Sequence, residues 1–308
     1  MKIKKPTISI IGTVLTSGTS INASAQSIAS NSSSILAVNQ YIQVTSAKIA
    51  YRVIGQGDPI LLCNRLRGIM DTWDPAFVDE LAKTNKVIIF DYPGIGLSTG
   101  KLAPTITGVA TSVADFAKEL GLQRFKLAGW SYGGAVAQTI AAEYPNLISH
   151  LVLIGANPPG KNDTPMEQAF LDAAFKPVND LADEEVLFFE PSSAKSRAAA
   201  KLSRERILMR TKELSIMVPP EKFQDYFKGI VDFQQDANHT REKLAKTKIP
   251  ILILMGDHDP SCPIENWFPL VKKWRTAQLV IIPDSGHGVQ HEFPEMSVAQ
   301  LNLFLKMN

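Results

Sequence analysis

The segment Phe125-Lys126-Leu127-Ala128-Gly129-Trp130-Ser131-Tyr132-Gly133-Gly134 constrains this chain more than any other, because it passes from an apolar strand through Gly-x-Ser-x-Gly into an alanine-rich helix. Glycines two residues before and two after the serine let a strand reverse sharply into a helix where larger side chains would clash, with the serine backbone held strained between them. A serine so placed stands at the carboxyl edge of a sheet, above a helix N-terminus whose free N–H groups and partial positive charge suit a developing oxyanion. A hydroxyl is a poor nucleophile until a base takes its proton, and the base needs an acid to fix its tautomer.

Partners for Ser131 must come from other strand ends. Alternation and β-branched residues place two strands at 41–44 and 48–53, joined by a turn at Thr45-Ser46. Apolar-rich runs at 60–63, 86–91, 125–130, 148–155, 249–255 and 277–282 read as further strands, with helical periodicity between them at 74–83, 107–120, 135–144 and from Pro294 onward. Strands alternating with helices predict an α/β fold with a mostly parallel sheet flanked by helices. Residues 156–248 break the rhythm with helical patterns and no strand, as expected of a helical cap inserted above the strand ends.

Two loops at the carboxyl edge carry the right chemistry: Gly256-Asp257-His258-Asp259-Pro260 and Asp284-Ser285-Gly286-His287-Gly288. With the serine turn they give the order Ser, Asp, His. Together with Asp91-Tyr92-Pro93-Gly94-Ile95-Gly96-Leu97-Ser98, and with Gly286-His287 followed by Glu292 and Pro294-Glu295, these motifs make the chain resemble a cap-bearing α/β-hydrolase of the serine esterase and haloperoxidase kind. The resemblance runs from Tyr41 to the C-terminus and implies a Ser131–Asp259–His287 catalytic triad. It places the acid three residues after Gly256, at Asp259, with Asp257 fixing the loop. His287 is preferred over His291 because its glycine neighbours give it access; His291 reads as an early-helix or solvent-facing residue. His258 points the other way along its loop, and His150 and His239 carry no local signal. Asp91 reads as a structural group that holds the glycine-rich turn after it.

The oxyanion side departs from the resemblance. Similar hydrolases commonly carry His-Gly after the strand at 60–63, whereas this chain has Asn64-Arg65-Leu66-Arg67-Gly68. By that register Leu66 supplies one backbone N–H and Tyr132 the other. Arg65 in place of glycine narrows the backbone angles open to the loop. Arg65 and Arg67 are candidates for an anionic substrate group or for salt bridges that brace the loop, and Trp130 for substrate contact or packing.

Serine, in place of the aspartate of haloalkane dehalogenases and epoxide hydrolases, favours acyl transfer. The expected function is hydrolysis of a carboxylic ester or lactone through an acyl-enzyme, with thioesters or C–C bonds beside carbonyls also open. The alternatives are a cofactor-free perhydrolase and a non-catalytic ligand-binding member of the fold. No cofactor or metal is expected, and the expected partner is a small ester-like molecule. Residues 1–25 hold three lysines and no acid, which leaves 29 basic against 30 acidic residues elsewhere, so no nucleic-acid footprint or membrane patch is expected. Lys2, Lys4 and Lys5, the apolar run from Ile8 to Leu15 and Ala23-Ser24-Ala25 read as a secretory signal, placing the protein outside the cell or in the periplasm, or in the cytoplasm if this stretch is no signal. Residues 26–40 follow as a flexible leader, and 41–308 as the folded domain. Cys63 and Cys262 read as free buried thiols. Oligomeric state has no signature in the sequence.

Overall fold

Consecutive strand residues face opposite sides of a sheet, so a run such as Ile60-Leu61-Leu62-Cys63 needs apolar cover on both faces. A computed structural model describes residues 33–307 and supplies that cover; the expected signal segment lies outside the described residues. In chain order the elements are α1 (Ser33–Leu36), β1 (Gln40–Val44), β2 (Ala47–Ile54), β3 (Pro59–Cys63), α2 (Pro75–Ala82), β4 (Lys86–Phe90), α3 (Ile106–Glu119), β5 (Phe125–Trp130), α4 (Tyr132–Glu143) and β6 (Ile148–Ile154). After these come α5 (Gln168–Ala174), α6 (Leu181–Phe188), α7 (Ala194–Ile207), α8 (Phe223–Gln235), α9 (Thr240–Ala245), β7 (Ile251–Gly256), α10 (Phe268–Val271), β8 (Ala277–Ile282), α11 (Val289–Glu292) and α12 (Pro294–Leu305). The strands form one sheet in the order β1-β2-β4-β3-β5-β6-β7-β8, antiparallel at β1–β2 and β2–β4 and parallel from β4 to β8.

Leu61, Ile88, Leu127, Leu153 and Ile253 face α3 and α4, while Ile60, Leu62, Ile89, Val152 and Leu252 face α2 and α12. Each fully buried aliphatic side chain contributes about 1.5–3 kcal/mol relative to exposure. The parallel core brings the loops after β5, β6, β7 and β8 to one edge. Between β6 and β7 lie α5 to α9, and no strand occurs there among the described residues.

Several boundaries differ from the sequence reading. Helix α4 starts at Tyr132 rather than Ala135, and β7 starts at Ile251, after Pro250, which has no N–H to donate. Part of the expected flexible leader is ordered: in α1 the Ser34 N–H donates to Asp79 at 2.8 Å, and Arg210 Nη1 donates to the carbonyls of Ser34 and Ile35 at 3.3 and 2.8 Å. That anchor comes from a residue far along the chain, which local composition does not reveal.

Candidate active site

Ser131 leaves β5 and enters α4 with φ 56° and ψ −118°. A non-glycine residue in such a region costs on the order of 1–3 kcal/mol and persists only where its surroundings enforce it. Here a Cβ on Gly129 would lie 2.1 Å from the Gly133 carbonyl oxygen, so the turn closes only with glycine. The Ser131 N–H donates to the Ile154 carbonyl at 3.0 Å and its own carbonyl accepts from Gly134 at 2.8 Å. The side chain makes no capping bond, so the hydroxyl is not committed to the helix end.

Asp259 follows β7 and His287 follows β8. The His287 Nδ1–H donates to Asp259 Oδ2 at 2.8 Å, and Asp259 Oδ1 accepts the N–H groups of Ser261 and Cys262, each at 2.8 Å. Both side chains are buried. With the proton held on Nδ1, Nε2 is the free base. The His287 backbone is fixed too: Trp130 Nε1–H donates to its carbonyl at 3.0 Å, and the Gly288 N–H donates to Phe188 at 2.7 Å. Gly155, with φ +47°, lets this assembly close, since a Cβ there would sit 2.5 Å from the His287 carbonyl oxygen. Gly155 was missed as a site residue; its only sequence signal is a glycine at the end of an apolar strand.

The other candidates separate from this group. Asp257 accepts from Ser285 N–H and contacts His258, whose ring is half-exposed. His291 is buried rather than at the solvent: its Nε2 accepts from the Asp74 N–H, its ring packs 4.6 Å from Trp130, and burial pulls it down to about 3. His150 contacts the Met307 carbonyl and His239 precedes α9 in a left-handed conformation. Asp91 accepts from Met70 N–H and Leu97 N–H and from the Ser215 hydroxyl, a loop-holding set.

In the loop after β3, Asn64 stands where similar hydrolases commonly carry a histidine. Its Oδ1 accepts from Arg65 N–H at 2.8 Å, and its Nδ2 donates to Ile69 at 2.7 Å and Thr72 at 3.0 Å. Gly68 N–H donates to the Arg65 carbonyl at 2.9 Å, closing a turn with Leu66 and Arg67 at its centre. The left-handed residue is Arg67, with φ 60°, not Arg65. In such a turn the Leu66 N–H is not used by the turn itself, and Tyr132, first in α4, has no intrahelical partner for its N–H. Trp130 is fully buried, so the substrate contact allowed for it is replaced by its bond to His287. Arg67 reaches the end of α5, where Nη1 donates to Ala174 and Lys176 and Nη2 to Pro177, at 2.9, 2.9 and 3.0 Å. Carbonyls, not carboxylates, take this brace.

Two small cavities meet at Ser131. One, of about 30 Å³, is lined by Arg65, Leu66, Arg67, Phe170, Phe188 and His287. The other, of about 80 Å³, is apolar, with Tyr132, Met166, Phe170, Phe227 and Phe233 in its wall. Of the apolar cap residues, Phe188 lines the first cavity, whereas Leu208 is exposed and Phe189 is buried in packing. A wider cavity of about 540 Å³ opens beside Pro59, Phe125 and Pro250, at the opposite ends of the strands, and holds no triad candidate. Asp259, Cys262 and His287 are the His/Cys/Asp/Glu group among the described residues compact enough to share an ion, their atoms lying within 4.8 Å. Burial and the Asp259 charge push the Cys262 thiol well above its usual range, and a neutral thiol is a poor ligand.

The Gly286 N–H donates to Glu292 Oε2 at 3.2 Å, and burial raises the Glu292 carboxyl to about 7, against the hydrogen bonds from Ser196 and Gly286 that lower it. The unfolded chain releases that proton near 4.5, so ionisation costs the folded state stability as pH rises from about 4.5 to about 7. Glu292→Gln keeps an acceptor for Gly286 without the charge. Thermal melts are expected to match wild type near pH 4.5 and to exceed it by roughly 3–6 °C near pH 8.

Comparison with known proteins identifies the fold family. A model of the alpha/beta hydrolase fold family matches residues 58–294. The chain is 26% identical over 273 residues to the serine hydrolase BPHL of Homo sapiens, covering 82% of this chain and 83% of that protein. It is also 26% identical over 283 residues to a 2-hydroxy-6-oxononadienedioate/2-hydroxy-6-oxononatrienedioate hydrolase of Burkholderia vietnamiensis, covering 84% and 92%. Among solved structures, an alpha/beta hydrolase fold protein from Chitinophaga pinensis superposes with a TM-score of 0.81 at 26% identity, over 89% of this chain and 99% of that one. The eight-stranded sheet, the serine turn and the family match lead to one conclusion: the chain belongs to the α/β-hydrolase fold family.

Proposed function

We propose that the protein hydrolyses a carboxylic ester or lactone through an acyl-enzyme on Ser131. The observation that carries this reading is a strained serine that shares a cavity with His287, whose Nδ1 is held 2.8 Å from buried Asp259. In the proposed cycle His287 Nε2 takes the Ser131 proton as Oγ attacks the carbonyl carbon. The oxyanion is held by the N–H groups of Leu66 and Tyr132. The imidazolium, stabilised by Asp259, then protonates the leaving alcohol. Water deprotonated by His287 attacks the acyl-serine, and collapse returns the carboxylic acid and Ser131. The two cavities hold only a few water-sized volumes, so substrate enters with the helices carrying Phe170 and Phe188 displaced. Residues 1–25, acting as a secretory signal, place this chemistry outside the cytoplasm.

Rapid mixing with a p-nitrophenyl ester tests the reading. A burst of p-nitrophenol near one equivalent of enzyme, with labelling by a fluorophosphonate, is expected. Absence of both contradicts an acyl-serine.

A further inference from the structure

Arg65 and Arg67 stand side by side, yet their donors are used differently. Arg67 is spent on three carbonyls at the end of α5. Among the described residues, the Arg65 guanidinium gives one hydrogen bond, Nη1 to the Leu66 carbonyl at 2.9 Å, and its Nε is buried without a partner. Glu184, the carboxylate that acts on it most, is paired with Arg204. The guanidinium lies 4.3 Å from the Phe188 ring centroid and 5.3 Å from that of Trp130, between two apolar faces. Burial lowers it to about 10, which leaves it cationic at neutral pH. A buried cation with spare donors in a planar fork is matched by a carboxylate, which can accept two parallel bonds. That cation lines the cavity containing Ser131 and His287, and the apolar cavity opens from the same serine.

We propose that Arg65 is a specificity-determining residue that binds a carboxylate of the substrate, so that the natural ester or lactone carries an anionic group on one side of the scissile carbonyl and an apolar chain on the other. The aromatic faces of Phe188 and Trp130 hold the guanidinium plane, and the cavity lined by Phe227 and Phe233 takes the chain. This deepens the hydrolase reading and rests on it for the position of the scissile bond.

Matched ester pairs test it. One pair is pentyl hydrogen glutarate and its analogue with isopropyl in place of the carboxylate; the other is the hexanoyl ester of γ-hydroxybutyrate and the same replacement. Wild-type kcat/KM is expected to favour the carboxylate by about 10- to 100-fold in one pair, and Arg65→Met to reduce that ratio to about threefold or less. Equal use of both members in both pairs, or an unchanged ratio in Arg65→Met, overturns the proposal. Calorimetric titration of Ser131→Ala with the same compounds reads binding without turnover. There the carboxylate member of one pair is expected to bind at least about tenfold tighter than its analogue; equal binding in both pairs overturns the proposal even where Arg65→Met does not fold. Failure of the hydrolase reading has a different signature, no cleavage of any ester and no fluorophosphonate adduct, whatever the binding ratio.

Discussion

Ser131→Ala is expected to lower kcat for ester hydrolysis by about 10⁵-fold or more, a loss of roughly 7 kcal/mol of transition-state stabilisation. The size follows from the role proposed for Oγ: without it no acyl-enzyme forms, and the residual rate comes from binding and the oxyanion donors alone. The same change leaves the fold intact. The Ser131 bonds to Ile154 and Gly134 are made by the backbone, and the hydroxyl caps nothing. Alanine at φ 56° carries the same backbone strain as serine, so the melting temperature should stay within about 2 °C of wild type. Steady-state kinetics with a calorimetric melt on the same sample separates lost chemistry from lost structure. A variant that retains more than about a tenth of wild-type kcat would remove Ser131 from the mechanism.

The second large effect is expected at Asp259. Asparagine preserves the acceptor for the Ser261 and Cys262 N–H groups through its carbonyl oxygen, at the position where Asp259 Oδ1 accepts both at 2.8 Å. Its amide must then donate to His287 Nδ1, which moves the imidazole proton to Nε2 and leaves no base facing Ser131. A fall in kcat of about 10⁴-fold is expected for Asp259→Asn, with fluorophosphonate labelling slowed in proportion. Asp257→Asn is the matched control: Asp257 contacts His258 and Ser285 outside the cavity, so a change of only a few-fold is expected. Equal losses in the two variants would mean that the loop, rather than the imidazole tautomer, sets the rate.

The pair Asp259 and His287 was legible because a parallel sheet sends every strand's carboxyl end to one edge, and β7 and β8 are visible as apolar runs. Ser131 was legible because the glycines around it have a steric reason that acts within a few residues. Asp91 is similar, since it bonds to Leu97 in the turn that follows it. What stayed hidden depends on residues distant in sequence. Trp130 looks like a substrate contact beside a nucleophile, and only the approach of His287 turns its N–H into a support for that loop. Arg65 and Arg67 are equivalent in the sequence; the carbonyls of residues 174–177 tell them apart. Composition marked the leader as flexible, whereas Arg210 anchors its second half.

An acyl group is expected to reside on Ser131 during turnover. Its most direct measurement is acid quenching of the enzyme within milliseconds of mixing with a slowly hydrolysed ester, followed by peptide mass mapping. The added mass of one acyl group is expected on the peptide containing Ser131, absent from Ser131→Ala and longer-lived in Asp259→Asn. Turnover with no acyl group on that peptide, or with the group on another residue, would contradict it.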